Sequence, residues 1–300
     1  MDRSLNAGVI KDIAQLFPKE TSLELFSRIC LNRFFDMKVA EIYEKKPFDC
    51  PVYLGVGEES IAAALSMSFK PEKIFGQHRC HALYLSYGGR IEELIDELLG
   101  LPTGCANGMG GSASIHRPEI GMIGHDGLMG TQVPIGVGYA MATEKTTLVV
   151  MGDASAEEDY VLGALCFAAT KKPPVLFICT DNGLSCLTPV CTRRNWNMVE
   201  HGTFGMPAIE ITDDPWLIMN SIEKLSKNLP AFINIHTCRV SAHAGVTKDR
   251  IVTPEWDRFS LVKEELGKLG LSHEAERIKM SVKSDIDNAW QVNLAEVAHG

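Results

Sequence analysis

Three things are scarce in this sequence. Its nine cysteines include no Cys-x-x-Cys pair, its charges show no cationic excess, and no apolar run is long enough for a membrane. The odd, scattered cysteines give neither a disulfide framework nor a zinc site to read, and a reducing cytoplasm is the expected setting. Lys and Arg total 29 against 38 Asp and Glu, a formal net charge of -9. That excludes a general binder of nucleic acid or anionic membrane surface, which needs the opposite balance. No stretch approaches the roughly 18 consecutive apolar residues of a membrane span. The opening MDRSLNAGVIKDIAQLF lacks a basic start followed by an apolar run, so no signal peptide is expected. There is no internal repeat, linker or low-complexity segment, and one domain is expected over residues 1–300, with helical N- and C-terminal extensions. What is present is ordinary for a globular chain: 45% hydrophobic and 22% charged residues, enough for a sizeable core. The acidic balance adds a constraint. An anionic ligand would have to be held by local groups, namely a metal, helix N-termini and a few basic side chains.

Residues 20–47 place Leu23, Leu25, Phe26, Ile29, Phe34 and Met37 at helical spacings. GVGEESIAAALSMSF reads as a loop opening into a second helix, and RIEELIDELLG as an amphipathic helix closed by Gly100. Residues 102–138 are Gly-rich and long for a connection without regular structure, which points to function. Strands and helices then alternate. TTLVVMGD, PPVLFICTDN, PAIEIT and PAFINIHTCRV read as strands, AEEDYVLGALCFAAT and PWLIMNSIEKLSKN as helices, and the tail from about Glu255 as mostly helical. This alternation predicts an α/β fold, a parallel sheet flanked by helices on both faces.

Asp153 follows one apolar strand and Asn182 the next, 29 residues on. Singly, Gly152-Asp153 and Asp181-Asn182-Gly183 are ordinary turns, where such residues abound for backbone reasons. Jointly they say more. If the strands are neighbours, both side chains meet at the carboxyl edge, where open parallel sheets bind ligands. A carboxylate and an amide oxygen are hard ligands suited to magnesium, completed by water and substrate phosphates. The Ala-Ser-Ala-Glu-Glu run after Asp153 is expected to begin a helix whose N–H groups receive a diphosphate.

The pair resembles the thiamine diphosphate signature, a Gly-Asp-Gly followed roughly thirty residues later by Asn-Asn. The segments GDASAEEDYVLGALCFAATKKPPVLFICTDNGLSCLTP, FGQHRCHA, GMGGSASIHRPEIGMIGHDGLMGTQVPIGVG and YLGVGEESIAAAL are similar to those of α subunits of branched-chain 2-oxo acid and pyruvate dehydrogenases. The resemblance covers about residues 20–290 and implies the thiamine diphosphate-binding fold. It also implies roles. Asp153 and Asn182 would be side-chain magnesium ligands, and Leu184 would add its backbone carbonyl. Gly152, Ala154 and Ser155 would form the turn that meets the diphosphate, and Gln77, His78 and Arg79 the segment that contacts it. Gly127 would meet the aminopyrimidine, and Met129 would wedge the cofactor into its bent form. His243 would stand beside the reaction centre, with His81 as a second catalytic candidate.

Departures from the family pattern gather on the substrate side. Ala154 replaces a signature glycine and Asp181 the first Asn; Ser114 stands for a histidine, His125 for a small residue, and Ala244 for a serine. In the resembling family the glutamate that activates the cofactor sits on a β-type subunit. The implied protein is therefore the cofactor-anchoring half of a heterotetramer, acting on a 2-oxo acid and passing the acyl group to a lipoyl-bearing acyltransferase. A carboligase or acyltransferase of the same architecture, and a non-catalytic cofactor-binding subunit, stay open as alternatives.

Overall fold

The computed structural model describes residues 12–45, 48–248 and 257–299. Helices α1 (Lys19–Lys45) and α2 (Glu59–Ser68) lead to strand β1 (Lys73–Phe75), helices α3 (His81–Ser86) and α4 (Ile91–Leu98), and strand β2 (Met122–Ile123). Helix α5 (Gln132–Thr143), strand β3 (Thr147–Gly152), helix α6 (Asp159–Lys171) and strand β4 (Val175–Asp181) follow. A small hairpin, β5 (Leu184–Ser185) with β6 (Thr188–Pro189), precedes the short helices α7 (Val190–Arg193) and α8 (Met198–His201). Strand β7 (Ala208–Thr212), helix α9 (Pro215–Leu225), strand β8 (Ala231–His236), and helices α10 (Arg258–Lys268) and α11 (Ser272–His299) complete the chain.

Among the described residues, six strands form one sheet in the order β2-β1-β3-β4-β8-β7, and every pairing within it is parallel. The central strands are buried on both faces, as parallel sheets require, so they read as continuous apolar runs. Alternate residues still sort by face. Leu148, Val150, Leu176, Ile178 and Ile233 join the core under α1, α2, α9 and α10. Val149, Met151, Phe177, Cys179 and Phe232 join a second core under α5 and α6. α1 and α11 pack together: Lys38 pairs with Asp287 at 2.9 Å, and Phe35 meets Trp290 at 6.2 Å between ring centroids.

The Gly-rich stretch differs from expectation. Its second half contains α5, which begins at Gln132, inside a segment read as irregular. Pro134 sits in the first turn, where no amide donor is needed. Gly136 lets the helix approach the sheet, since a Cβ there would meet Val149 Cγ2 at 2.5 Å. The first half is ordered by the buried Glu97, whose carboxylate accepts from the amides of Ala106, Gly108, Gly110 and Gly111 at 2.7–2.9 Å. Four charge-assisted bonds offset the cost of burying that group. Gly108 needs its hydrogen side chain, with φ at +74° and backbone of Gly100 2.5 Å from where a Cβ would stand. A second correction concerns the run after Asp153. It forms a 3₁₀ turn over Ser155–Glu157, and the α-helix starts later, at Asp159. The amides nearest Asp153 thus belong to that turn.

Candidate cofactor and metal site

β3 and β4 are hydrogen-bonded neighbours, with Gly152 opposite Thr180, so Asp153 and Asn182 emerge side by side at the carboxyl edge. Both are buried, 3% and 8% exposed. They open on a cleft at that edge. Gln77, His78, Arg79, Met129, Gly152, Asp153, Ala154, Ser155, Asn182, Leu184 and His243 all line it, joined by Glu58, Thr180, Ser185, Cys186 and Arg239. Residues as distant in sequence as Gln77 and His243 therefore meet on one surface.

The orientation of Asn182 is fixed. Its Nδ2 donates to Glu58 Oε1 at 2.9 Å, and a carboxylate only accepts, so the amide oxygen must turn the other way. There Oδ1 accepts from the Leu184 amide at 3.1 Å. Glu58 also faces Arg79 Nε at 3.7 Å, while Arg79 donates to the carbonyls of Leu54 and His243 at 2.6 and 3.2 Å. Gln77 Nε2 donates to Thr180 Oγ1 at 2.8 Å. Asp153 forms an ion pair with Arg193. Burial, reinforced by nearby Asp181, pushes the Asp153 carboxyl up to about 6 despite Arg193. A cation at its oxygens would favour the ionised form.

The donor set fits magnesium: one carboxylate, one amide oxygen and a backbone carbonyl are hard oxygens. Among the described residues no three His, Cys, Asp or Glu side chains gather to hold a metal by themselves. Such a cation would be held jointly with phosphate oxygens, which is how magnesium is usually bound. The aromatic side of the cleft is an imidazole cluster. His78 lies 5.3 Å from His243 and 6.1 Å from His125 between ring centroids, and Tyr53 packs edge-on against His78 at 5.0 Å. Burial, with Arg79 adjoining, holds His78 down to about 3, and burial lowers His125 as well. Both rings are neutral at pH 7. His78 Nε2 is buried without a partner, a polar atom suited to a ligand.

Two residues stand apart. Gly127 does not line the cleft; its amide donates to His125 Nδ1 at 3.0 Å, in a left-handed turn at φ +95°. His81 lines an adjoining pocket with Glu58, Gln77 and Arg79 rather than this cleft. It is 2% exposed, and both ring nitrogens are engaged, Nδ1 with Asp36 at 2.7 Å and Nε2 with Ser112 at 2.8 Å. Asp36 also accepts from the Gly55 amide at 2.6 Å. With no nitrogen left over and a place outside the cleft, His81 ties α1, α3 and the Gly-rich loop together. Sequence reasoning missed Glu58, which sat in the motif GVGEES without a role. It also missed Arg193 and Arg194, an adjacent basic pair in a cation-poor chain.

A parallel α/β sheet with Asp153 and Asn182 buried side by side at its carboxyl edge sets the class, and comparison with known proteins narrows it. Residues 28–250 match the family described as dehydrogenase E1 component, and the chain belongs to that family. It is 26% identical to the α subunit of the Saccharomyces cerevisiae pyruvate dehydrogenase E1 component, over 96% of this chain and 73% of that one. Against the Bos taurus α subunit, somatic form, the identity is 25% over 95% and 78%. The Arabidopsis thaliana subunit alpha-1 is 30% identical over 53% of this chain, which spans 43% of that protein. Transketolases from Pichia stipitis and Leishmania mexicana share the fold at 14% identity, with TM-scores of 0.54 and 0.57. This chain spans 47% of the length of each.

Proposed function

We propose that this chain is the cofactor-anchoring α-type subunit of a thiamine diphosphate-dependent enzyme that decarboxylates a 2-oxo acid and transfers the acyl group. The observation that carries this is the juxtaposition of Asp153 and Asn182 at adjacent strand ends, in a cleft shared with Arg79 and Gln77. When bound, thiamine diphosphate supplies a carbanion and an electron sink; the protein supplies place and field. Asp153, Asn182 and the Leu184 carbonyl hold magnesium. Arg79 and the turn amides of Ala154 and Ser155 hold the phosphates, an arginine fork being apt for such oxygens. Glu58 keeps the Asn182 amide oxygen turned away from itself, a supporting contact of the kind that orients metal ligands. Met129 shapes the cleft, and His243 faces it from the loop after β8.

The activating glutamate comes from a β-type subunit, and a lipoyl-bearing acyltransferase accepts the acyl group. A carboligase with another acceptor is the second reading. The imidazoles of His78 and His243, with His125 beside His78, favour it, because such rings suit a hydroxylated ligand better than an aliphatic one. A cytoplasmic setting suits scattered cysteines that form no disulfide with one another among the described residues. No described helix is long and apolar enough to cross a membrane.

The test is calorimetric titration of thiamine diphosphate with magnesium into the chain and into Asp153→Ala. The wild type should bind and the variant should not, since the diphosphate loses its bridge in an acidic protein. Equal affinities would overturn the assignment.

A further inference from the structure

Two arginines, Arg193 and Arg194, stand over the carboxylates at the ends of β3 and β4. Their side chains are 14% and 6% exposed. Arg193 pairs with Asp153 and lies 3.3 Å from Glu157. Arg194 lies 3.0 Å from Glu157 and 3.6 Å from Asp181, and its guanidinium sits over the Trp196 ring at 5.3 Å. Arg193 closes α7, whose start is tied to the Gly183 carbonyl by the Val190 amide at 3.0 Å. Two of its donors, Nε and Nη1, are buried without a partner. A guanidinium this enclosed with donors to spare calls for an explanation.

We propose that Arg193 is a positioning residue that makes uptake of the divalent cation conditional on the diphosphate. The inference rests on the cofactor reading above. Asp153 is both the carboxylate a hard cation needs and the partner of Arg193. A cation and a guanidinium repel at contact distance, so they are alternatives for the same oxygens. A cation arriving alone must displace Arg193 and leave a buried positive charge without its main partner, which is strongly unfavourable. A cation arriving with diphosphate brings its own remedy. The phosphate oxygens are acceptors for a displaced guanidinium and its idle donors, and arginine binds such oxygens in paired fashion. Glu157 holds the arginine pair nearby through the exchange. The result is a coupling between cation and diphosphate beyond their direct contact, and such coupling is reciprocal.

The experiment measures manganese binding by electron paramagnetic resonance, with and without thiamine diphosphate, for wild type, Arg193→Gln, Arg193→Lys and Asp153→Ala. Circular dichroism and thermal melting establish that each variant is folded. Wild type should bind free manganese weakly and gain strongly from diphosphate. R193Q should bind free manganese about tenfold tighter, and its gain from diphosphate should shrink by about tenfold or more, within the usual range of coupling energies. R193K keeps the charge but not the fork. It should resemble wild type toward free manganese and bind the manganese–diphosphate pair more weakly. If R193Q is unfolded, the R193K pattern decides. Equal free-manganese affinities for wild type and R193Q, or an unchanged gain from diphosphate, would overturn the proposal. Failure of wild type to bind manganese even with diphosphate would instead bring down the underlying cofactor reading, and the proposal with it.

Discussion

Leu148 and Val150 enter a deep helical layer, whereas their strand neighbours Val149 and Met151 meet a single layer formed chiefly by α5 and α6. The deep side buries the larger core, although Met37 on α1 and Met280 and Val292 on α11 are exposed. Phe26, Phe35, Trp216 and Trp290 are fully buried there, and charges at its seams are paired, as in Arg33 with Asp257 at 2.6 Å. The thin side carries apolar side chains outward: Ile135, Met141 and Phe167 are 52%, 40% and 46% exposed. Leu128 and Leu187, near the cleft, are 59% and 73% exposed. Scattered exposed apolar residues are normal, but such residues on two adjacent helices and beside a ligand cleft fit a face completed by another chain. The comparison teaches that one side of the sheet carries several helical layers and the other chiefly one, and under the proposed function the thinner side is the face a β-type subunit would cover.

The sharpest way to break this comparison is to charge the thin side. Ile135→Asp with Phe167→Asp should abolish assembly with a β-type partner, because anchors of an obligate interface dominate its energy. The same changes should alter the stability of the lone chain by about 0.5 kcal/mol or less each, as exposed substitutions do. Size-exclusion chromatography of the mixed chains and urea unfolding of the lone variant measure the two effects. Normal assembly, or a strongly destabilised lone chain, would show that the face is not an interface.

On the deep side the expected cost falls on stability. Trp290→Ala should destabilise by about 3–5 kcal/mol, the usual range for an emptied aromatic site. Trp290→Phe should cost far less than that, because the indole N–H is buried without a partner and its loss removes an unsatisfied donor. The ring itself stacks on Phe48 at 6.2 Å, a contact that phenylalanine can keep. Thermal melts of the two variants separate ring packing from the polar atom. Equal losses would mean that the indole shape, not its volume, is required.

What could be read from sequence follows the same division. β3 and β4 were legible because a doubly buried parallel strand is a continuous apolar run, and the turn after each carried a proposed ligand, Asp153 or Asn182. β1 and β2 were not: three and two residues are too few for any period to show. α5 was hidden because Pro134, Gly136 and Gly138 lower helix propensity, and only for Gly136 does close packing on Phe75 and Val149 account for the residue. In the site, Asp153 and Asn182 follow from strand order. The partners of His81 were not legible, because a histidine in a matching segment says nothing of Asp36 and Ser112, which engage its nitrogens. Arg193 reaches Asp153 across 40 residues of chain, through a hairpin and a four-residue helix whose geometry no local pattern announces.

The smallest expected effect lies at the β7 edge of the sheet. His236 Nε2 meets Glu210 Oε1 at 2.5 Å, and the two side chains are 16% and 29% exposed. The His236 bond holds the Glu210 carboxyl down to about 2. Burial works against a charge on His236, yet the Glu210 bond and nearby Asp181 outweigh it and raise the imidazole above 6.5. A raised histidine contributes stability that is full below its unfolded value and is lost as pH rises through the folded one. A depressed carboxylate contributes stability that is present above its unfolded value of 4.5 and is lost as pH falls toward about 2. The pair is therefore worth most between about 4.5 and 6.5, where both groups are charged in the folded and unfolded chain alike. Glu210→Gln should cost roughly 1 kcal/mol there, a figure kept small by partial exposure, and less at alkaline pH once the histidine is neutral. His236→Gln should show the same narrowing. Urea unfolding of wild type and both variants near pH 5.5 and pH 9 measures it. A gap that stays constant across that range would mean that the contact is a neutral hydrogen bond rather than an ion pair.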